Sequence, residues 1–233
     1  MKIGILETGR PPATLEGRFG RYDTMLMRLL GEPYQMRTYA VTAGDYPERP
    51  EDEEAYLITG SAAGVYDQLP WIAGLKAFLQ DTKGKAKLVG ICFGHQIMAE
   101  AFGGRVEKSD RGWGVGLHRY EVREAAPWMD PIDDFSIPVS HQDQIVCQPP
   151  QSRVVAASPF TPFGVLAYGD QPAISFQCHP EFEPAFAQAL IEERRDRLAE
   201  PDDAIASLAK PNDARLVGNW IRHFLNGSTA SDL

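Results

Sequence analysis

Short apolar runs alternate with stretches of helical apolar spacing in the first part of the chain. Residues 2–6, 55–59 and 87–92 have the nearly continuous apolar character of strands that are covered on both faces. Residues 21–30 and 71–80 have apolar side chains spaced as one face of a helix requires. This alternation predicts βαβ units and therefore a parallel sheet.

The pattern changes in the middle of the chain, where strand-like segments are joined by turns that contain proline and glycine. Six segments have this character: residues 115–122, 136–139, 144–147, 154–158, 165–168 and 173–178. Helices are predicted again at residues 184–198 and 214–225. No repeat or low-complexity linker separates these parts, so we expect one α/β domain over residues 1–233 with an antiparallel or mixed addition to its sheet. Its core would span about residues 1–182, followed by a helical C-terminal extension, residues 183–233.

Composition and charge narrow the class of protein. The chain has 233 residues, of which 43% are hydrophobic, and its 32 acidic against 23 basic residues give a net charge of −9. Nucleic-acid backbones require clustered Lys and Arg, so this balance argues against DNA or RNA as a partner. The apolar start of the chain ends at Glu7, too early for a signal peptide, and no run approaches the roughly 18 apolar residues of a membrane helix. We therefore expect a cytoplasmic protein without a membrane partner.

The cysteines indicate reduced thiols and neither a metal site nor a cofactor. Cys92, Cys147 and Cys178 form an odd set without C-x-x-C spacing. Cys147 and Cys178 lack flanking glycines and are interpreted as small buried apolar residues. A charge run near the C-terminus, residues 192–197, has mixed signs at helical spacing and is interpreted as a solvated helix face.

The most informative segment runs from an apolar strand through Gly90, Cys92 and Gly94 into a helix predicted over residues 96–102. Gly-x-Cys-x-Gly at such a junction is the cysteine counterpart of the G-x-S-x-G nucleophile elbow. The sharp turn leaves no room for side chains at the two glycines. It places the sulfur at a helix N-terminus, where the dipole favours the thiolate, and directs the Phe93 amide toward a developing oxyanion. The segment therefore predicts a cysteine nucleophile.

A thiolate that attacks an amide needs a proton donor for the departing amine, and His179 is the best candidate among five histidines. His179 ends an apolar strand, as Cys92 does, and such strand ends gather ligands in open α/β sheets. Glu181 lies two residues further on in extended chain. Its carboxylate can therefore orient the imidazole and stabilise the charged form of the ring.

Three other histidines fit ordinary positions better. His223 lies in the C-terminal helix and is expected at the surface, whereas His118 alternates within a polar-apolar strand. His95 follows the cysteine by three residues on its helix and would be poorly placed to face the same substrate. The base is therefore predicted to be His179.

Four segments together resemble the class I, or triad-type, glutamine amidotransferases, and above all the amidotransferase domain of GMP synthase. In chain order they are residues 58–64 (ITGSAAG), 90–96 (GICFGHQ), 139–143 (VSHQD) and 178–182 (CHPEF). The match spans roughly residues 1–182 in consistent order, and the paired Cys and His-x-Glu motifs are specific. The resemblance implies a flavodoxin-like, three-layer α/β fold with a central, mostly parallel sheet.

The resemblance also implies a chemistry and further site residues. Cys92 would attack the γ-carboxamide of glutamine, His179 would protonate the departing ammonia, and water would release glutamate from a γ-glutamyl thioester. The backbone amides of Gly60 and Phe93 would form the oxyanion hole, and the side chain of Gln96 would help to hold the substrate. A substrate-binding stretch would consist of Ser140, His141, Gln142 and Asp143.

The sequence departs from the family pattern in three places. The glycine loop reads Gly60-Ser61-Ala62 instead of the more usual Gly-Gly-Pro or Gly-Pro-Gly. The segment of residues 7–21 is longer than the family's usual first loop. No synthase domain follows the amidotransferase-like part, which leads us to expect a stand-alone chain.

Two catalytic functions are open at this point. A stand-alone glutaminase would take glutamine and deliver ammonia to a separate synthase subunit, whereas a γ-glutamyl peptidase would release an amine or peptide without a partner. The motifs concern only the γ-glutamyl half of the substrate, so they do not indicate which of these leaving groups the protein accepts. A non-catalytic regulatory domain is disfavoured because Cys92, His179 and Glu181 are all present. Cysteine hydrolases with a histidine directly after the nucleophile are disfavoured because Phe93 occupies that position.

Overall fold

The computed structural model describes residues 1–228, which form eleven strands and seven α-helices. The strands are β1 (Lys2–Leu6), β2 (Gln35–Tyr39), β3 (Ala55–Ile58), β4 (Lys87–Ile91), β5 (Arg105–Lys108), β6 (Gly114–Val122), β7 (Asp134–His141), β8 (Asp143–Cys147), β9 (Ser152–Ala157), β10 (Val165–Tyr168) and β11 (Ala173–Phe176). The helices are α1 (Ala13–Phe19), α2 (Tyr22–Leu30), α3 (Pro70–Thr82), α4 (Phe93–Ala101), α5 (Pro184–Glu193), α6 (Pro201–Ser207) and α7 (Ala214–Asn226). Among these described helices, none is long and apolar enough to cross a membrane.

Nine strands form one sheet, and five of them lie parallel in the order β2-β1-β3-β4-β11. This is the 2-1-3-4-5 order of flavodoxin-like folds, so the predicted fold class is confirmed. The strands predicted from their apolar runs, β1, β3 and β4, are buried at most positions. The pattern does not predict β2, because this edge strand exposes alternate residues and includes Arg37 and Thr38.

The other half of the sheet is antiparallel, in the order β11-β10-β9-β6-β7. It is the antiparallel addition that the strand-like segments in the middle of the chain predict. The strands β5 and β8 pair separately as a two-stranded antiparallel ribbon.

Helices cover both faces of the sheet and produce three layers. Neighbouring residues of a strand point to opposite faces, as β3 illustrates. Leu57 packs in the same apolar cluster as Leu26 of α2 and Trp220 of α7. Ile58 packs in a second cluster, together with Leu75 of α3. A strand covered in this way must be apolar on both sides, which explains its continuous apolar run.

The predicted helices agree with the structure except near the proposed nucleophile and after residue 193, and the sequence pattern does not predict α1. The helix near the proposed nucleophile, α4, begins at Phe93 rather than at residue 96, because the preceding turn leads directly into the helix. The helix predicted over residues 184–198 ends at Glu193, and a 3₁₀ turn and α6 follow it. Pro201 opens α6 at a position that suits proline. Residues 229–233 of the predicted extension lie outside the described residues.

Two predictions about side chains away from the site are wrong. Cys147 is exposed rather than buried, because it ends a strand of the small ribbon. His223 is buried rather than exposed, since its Nδ1 lies 3.2 Å from the Trp128 carbonyl oxygen inside the helical layer. Cys178 is buried, as predicted.

Candidate active site

Loops that follow three adjacent strands bring Gly60, Cys92 and His179 together at one edge of the sheet. The strands β3, β4 and β11 are parallel neighbours, so their carboxyl ends meet at the same edge. A β-carbon added to Gly60 would lie 3.2 Å from Cε1 of His179 and 3.8 Å from Cβ of Cys92. Three motifs that are far apart in the sequence therefore form one site.

The backbone at Cys92 has the strain that the nucleophile-elbow pattern predicts. Cys92 is the N-cap of α4, with φ 53° and ψ −101°, and residues other than glycine rarely adopt positive φ. A β-carbon at Gly90 would lie 2.6 Å from the carbonyl group of Gly94, and one at Gly94 would collide with the backbone of Ile58. Both positions therefore need glycine for the turn that presents the sulfur at a helix N-terminus.

His179 and Glu181 form a buried pair beside Cys92. The Nδ1 atom of His179 lies 2.8 Å from Oε1 of Glu181, and the two side chains expose 4% and 1% of their surface. The Phe182 ring stacks on the imidazole at a centroid distance of 3.8 Å and restricts its plane. Because Nδ1 faces the carboxylate, Nε2 is the nitrogen left to face the cysteine sulfur.

The charges around His179 favour a protonated imidazole. Burial alone lowers the pKa of His179, but the charges of Cys92 and Glu181 and hydrogen bonds to both raise it from 6.5 to about 10. At neutral pH the protonated ring therefore stands next to the cysteine sulfur. A ring in this state can donate a proton to a leaving group.

Two backbone amides beside Cys92 are available to an oxygen that becomes negatively charged. In the described part of the chain, neither the Gly60 nor the Phe93 N–H donates to a backbone carbonyl. Phe93 is the first residue of α4, where N–H groups lack partners within the helix. The Thr59 carbonyl accepts from Thr8 Oγ1 at 2.9 Å, so the Gly60 N–H of the same trans peptide points away from Thr8. An oxyanion hole requires two such donors.

The Gln96 side chain and the Ser140 backbone both reach the pocket next to the cysteine. The Nε2 atom of Gln96 donates to the Asp143 carbonyl at 2.8 Å and to Gln177 Oε1 at 3.1 Å. Its Oε1 is then left as an acceptor in a buried side chain. The Ser140 carbonyl oxygen lies 4.0 Å from Cys92 Sγ.

The rest of the predicted substrate-binding stretch lines the pocket in different ways. The His141 ring is buried, with Nδ1 3.2 Å from the Asp143 carbonyl and Nε2 3.4 Å from Thr161 Oγ1. Burial lowers the pKa of His141 to about 3, so the ring is neutral and braces the loop. The Asp143 carboxylate accepts from the Tyr66 hydroxyl at 2.9 Å, and burial raises its pKa. Gln142 also lines the pocket.

Two other histidines lie outside the pocket: His95 is fully buried and His118 is partly buried. The Nδ1 atom of His95 lies 2.8 Å from Ser175 Oγ, and burial lowers the pKa of His95 to about 3. His118 packs edge-on against Phe160, and burial lowers its pKa as well. In residues 1–228, no group of three or more His, Cys, Asp or Glu side chains could hold a metal ion.

The pocket above Cys92 has a volume of about 440 Å³, which suits a small-molecule ligand, and it includes side chains that the sequence analysis missed. Arg194 belongs to the charge run whose spacing predicts a solvated helix face, yet it is partly buried and lines the pocket. That interpretation is wrong for Arg194, because α5 ends at Glu193 and the chain turns toward the site. The missed aromatic lining residues are Tyr22, Tyr66, Trp113 and Phe182. Phe182 ends the CHPEF segment, whereas no local pattern signals the other three, which come from separate parts of the chain.

Comparison with known proteins finds one family model and several relatives that match this chain. The model of the family described as "Glutamine amidotransferase class-I" matches residues 47–194. A glutamine amidotransferase-like protein from Schizosaccharomyces pombe is 30% identical over 205 residues, which are 81% of this chain and 82% of that protein. Gamma-glutamyl peptidase 2 from Arabidopsis thaliana is 27% identical over 224 residues, or 90% of this chain and 89% of the peptidase.

The match to GMP synthase covers a smaller part of the relative, whereas the match to one solved structure covers nearly the whole of both chains. The GMP synthase of Thermus thermophilus is 36% identical over 170 residues, which are 69% of this chain but 31% of the synthase. The crystal structure of a glutamine amidotransferase from Thermotoga maritima superposes with a TM-score of 0.74 at 16% identity. It covers 96% of this chain and 97% of the other, which shows a shared fold.

Proposed function

The chain belongs to the class I glutamine amidotransferase family, and on this basis we propose that it is a cysteine-dependent hydrolase of γ-glutamyl amide bonds. In this proposal Cys92 is the nucleophile, His179 is the general acid and base, and Glu181 orients the imidazole. The observation that carries the proposal is the buried His179–Glu181 pair, 2.8 Å apart, beside a cysteine in a strained turn at a helix N-terminus.

In the first half-reaction, the Cys92 thiolate attacks the γ-carbonyl carbon of the substrate and forms a C–S bond. The carbonyl electron pair moves onto oxygen, and the amides of Gly60 and Phe93 donate to that oxygen. When the pair returns, the C–N bond breaks and the protonated Nε2 of His179 gives its proton to the leaving nitrogen. Ammonia or an amine departs, and a γ-glutamyl thioester and a neutral imidazole remain.

In the second half-reaction, neutral His179 removes a proton from water as the water oxygen attacks the thioester carbon. The C–S bond breaks, and glutamate leaves with the hydroxyl group of that water. Cys92 is again a thiolate beside a protonated imidazole. One water hydrolyses one amide bond in each cycle, so the cycle closes without a further reactant.

We assign substrate binding to Gln96 and to the stretch of residues 140–143. The remaining acceptor of Gln96, its Oε1, can accept from the α-ammonium group of a γ-glutamyl substrate. The backbone of Ser140 borders the cysteine sulfur, and Gln142 and Asp143 line the outer pocket. His141 has a supporting role, because both of its ring nitrogens are turned toward protein atoms.

Glutamine is the first candidate substrate, and its hydrolysis would supply ammonia to a separate synthase subunit. γ-Glutamyl peptides are the second candidate, which two observations favour. The match to gamma-glutamyl peptidase 2 extends over 89% of the peptidase, whereas the match to GMP synthase covers 31% of the synthase. The pocket also extends from Cys92 to Arg194 and Trp113, which leaves space for a leaving group larger than ammonia.

The proposal includes a cytoplasmic location, because the nucleophile must stay a reduced thiol. It treats the chain as one domain whose catalytic motifs lie within about residues 1–182. The helical part that follows contributes Arg194 to the pocket.

The test uses the full chain with glutamine and with γ-glutamyl dipeptides, and measures glutamate release. We expect the wild-type protein and Cys147→Ser to release glutamate, and Cys92→Ser to lose activity by about 10³-fold or more. Cys147 is the matched control because it is exposed and outside the pocket. A glutamine-like electrophile should label Cys92, as mass spectrometry of the peptides would show. The proposal is contradicted if no substrate releases glutamate and Cys92 stays unlabelled.

A further inference from the structure

Arg194 lies just after α5, inside the pocket that contains Cys92. Its Nη1 donates to Ser140 Oγ at 2.9 Å, and its guanidinium lies over the Trp113 ring, 5.2 Å from the ring centroid. The carbonyl oxygen of the same serine is 4.0 Å from Cys92 Sγ. One residue, Ser140, therefore separates the guanidinium from the nucleophile.

The positive charge of Arg194 has no carboxylate partner among residues 1–228, and a single side-chain acceptor uses one of its five donors. The next residue differs, since Arg195 pairs with Glu192 at 2.7 Å and with Asp202 at 2.9 Å. Burial lowers the pKa of Arg194, which indicates a charge that the protein compensates only in part. An anion bound at this guanidinium would complete the site.

The groups around Arg194 prepare it for a planar anion. The Trp113 ring stacks against the guanidinium, and Ser140 holds one of its nitrogens, so the plane of the fork is restricted. Arg197 also lines this side of the pocket and adds a second positive charge. A restricted guanidinium fork matches a carboxylate with two parallel hydrogen bonds.

We propose that Arg194 is a specificity-determining residue that binds a carboxylate of the γ-glutamyl substrate, an inference that rests on the proposed function. Two carboxylates of a γ-glutamyl peptide are only a few bonds from the scissile carbonyl. One is the α-carboxylate of the γ-glutamyl group, and the other belongs to the residue that leaves. Either carboxylate could reach the Arg194 guanidinium, because only Ser140 lies between this guanidinium and the Cys92 sulfur.

Two matched substrate pairs test the inference and separate these sources. γ-Glutamylalanine and γ-glutamylethylamide differ by the carboxylate of the leaving group. Glutamine and 4-aminobutanamide differ by the α-carboxylate. The four compounds are assayed for kcat/KM with the wild-type protein, with Arg194→Gln and with Arg195→Gln. Arg195 is the matched control, because it is paired with acids and does not line the pocket.

We expect Arg194→Gln to lower kcat/KM about 10- to 100-fold for a substrate with the recognised carboxylate, and less than about 3-fold for its counterpart without it. A loss confined to γ-glutamylalanine identifies the leaving-group carboxylate. A loss on every compound except 4-aminobutanamide identifies the α-carboxylate. Arg194→Lys should recover part of the activity, since it restores the charge without the fork, and Arg195→Gln should behave as the wild type.

An equal loss on all four compounds, or no loss on any, overturns the inference, while turnover by the wild-type protein upholds the proposed function. If the wild-type protein turns over none of them, calorimetry with γ-glutamylalanine decides. The Kd is then compared between Cys92→Ser and the double variant Cys92→Ser/Arg194→Gln. A Kd at least about 10-fold weaker in the double variant supports the inference, and an unchanged Kd overturns it. Circular dichroism confirms that the variants are folded.

Discussion

The hydroxyl oxygen of Thr8 lies 2.9 Å from the carbonyl oxygen of Thr59, and both side chains are almost fully buried. The Thr8 N–H also donates to Thr59 Oγ1 at 3.0 Å, and Thr8 Oγ1 lies 3.1 Å from the Gly60 carbonyl oxygen, so several contacts join the two loops. The Thr59 carbonyl belongs to the peptide that carries the Gly60 N–H. Thr8 therefore fixes the orientation of one proposed oxyanion donor, from a position 52 residues before Gly60.

Replacing Thr8 by valine removes this hydroxyl and keeps the side-chain shape. We expect kcat on the best γ-glutamyl substrate to fall about 10- to 100-fold with little change in KM, because the oxyanion contact strengthens in the transition state. Thr8→Ser keeps the donor and should retain most of the activity. Equal activity loss in both variants, or an effect on KM alone, would contradict this role. Urea unfolding separates it from a loss of stability.

Glu181→Gln should shift the pH dependence of the reaction in a defined direction. Burial lowers the pKa of His179, while the charges of Cys92 and Glu181 raise it to about 10. Without the Glu181 charge the pKa of His179 falls, so the imidazolium that protonates the leaving group is lost at lower pH. The alkaline limb of kcat/KM should therefore move to lower pH, and kcat should drop about 10²- to 10⁴-fold.

Glu183→Gln is the matched control for that measurement. Glu183 lies two residues further along the chain, and its side chain is 68% exposed. Its pH profile should coincide with that of the wild-type protein. An alkaline limb that stays in place in Glu181→Gln would show that the carboxylate does not tune His179.

Gly94→Ala and Gly17→Ala should have opposite effects on stability. A β-carbon at Gly94 would collide with the Ile58 backbone, so we expect a loss of at least about 2 kcal/mol in the free energy of unfolding. A β-carbon at Gly17, inside α1, meets nothing within 4 Å. The alanine there should stabilise the protein by up to about 1 kcal/mol. Urea denaturation measures both values, and a Gly94→Ala protein as stable as the wild type would refute the packing argument.

The sequence reveals those parts of the site whose physical requirements are local. Gly90, Cys92 and Gly94 are close in sequence because one sharp turn imposes all three. His179 and Glu181 are two residues apart in extended chain, so their pairing also follows from spacing. The central strands are equally visible, because burial on both faces demands continuous apolar runs.

The parts that sequence reasoning missed depend on contacts between distant segments. Thr8 acts on Thr59 across 51 residues, and Arg194 acts on Ser140 across 54 residues. Neither contact has a periodicity or a motif. The sequence does not single out Arg194, because charges of mixed sign at helical spacing are typical of a solvated helix face. The end of α5 at Glu193 turns Arg194 into the pocket.

His95 should make the protein less stable as the pH falls. Burial lowers the pKa of His95 to about 3 in the folded state, whereas the unfolded value is 6.5. The stabilisation is therefore complete above pH 6.5, and it is lost as the pH falls from 6.5 toward 3, because only the unfolded chain binds the proton. Between pH 7 and pH 5 this histidine alone should reduce the free energy of unfolding by about 2 kcal/mol.

The His95→Gln variant isolates the contribution of His95 to this pH dependence. Burial also lowers the pKa of His141 to about 3, but His141 is present in both the variant and the wild-type protein. The variant should be less stable than the wild type at pH 7, because the contact between His95 Nδ1 and Ser175 Oγ is lost. Its further loss between pH 7 and pH 5 should nevertheless be about 2 kcal/mol smaller than that of the wild type. Urea unfolding at the two pH values measures the difference. Equal losses in the two proteins would mean that His95 does not reside in the interior as a neutral ring.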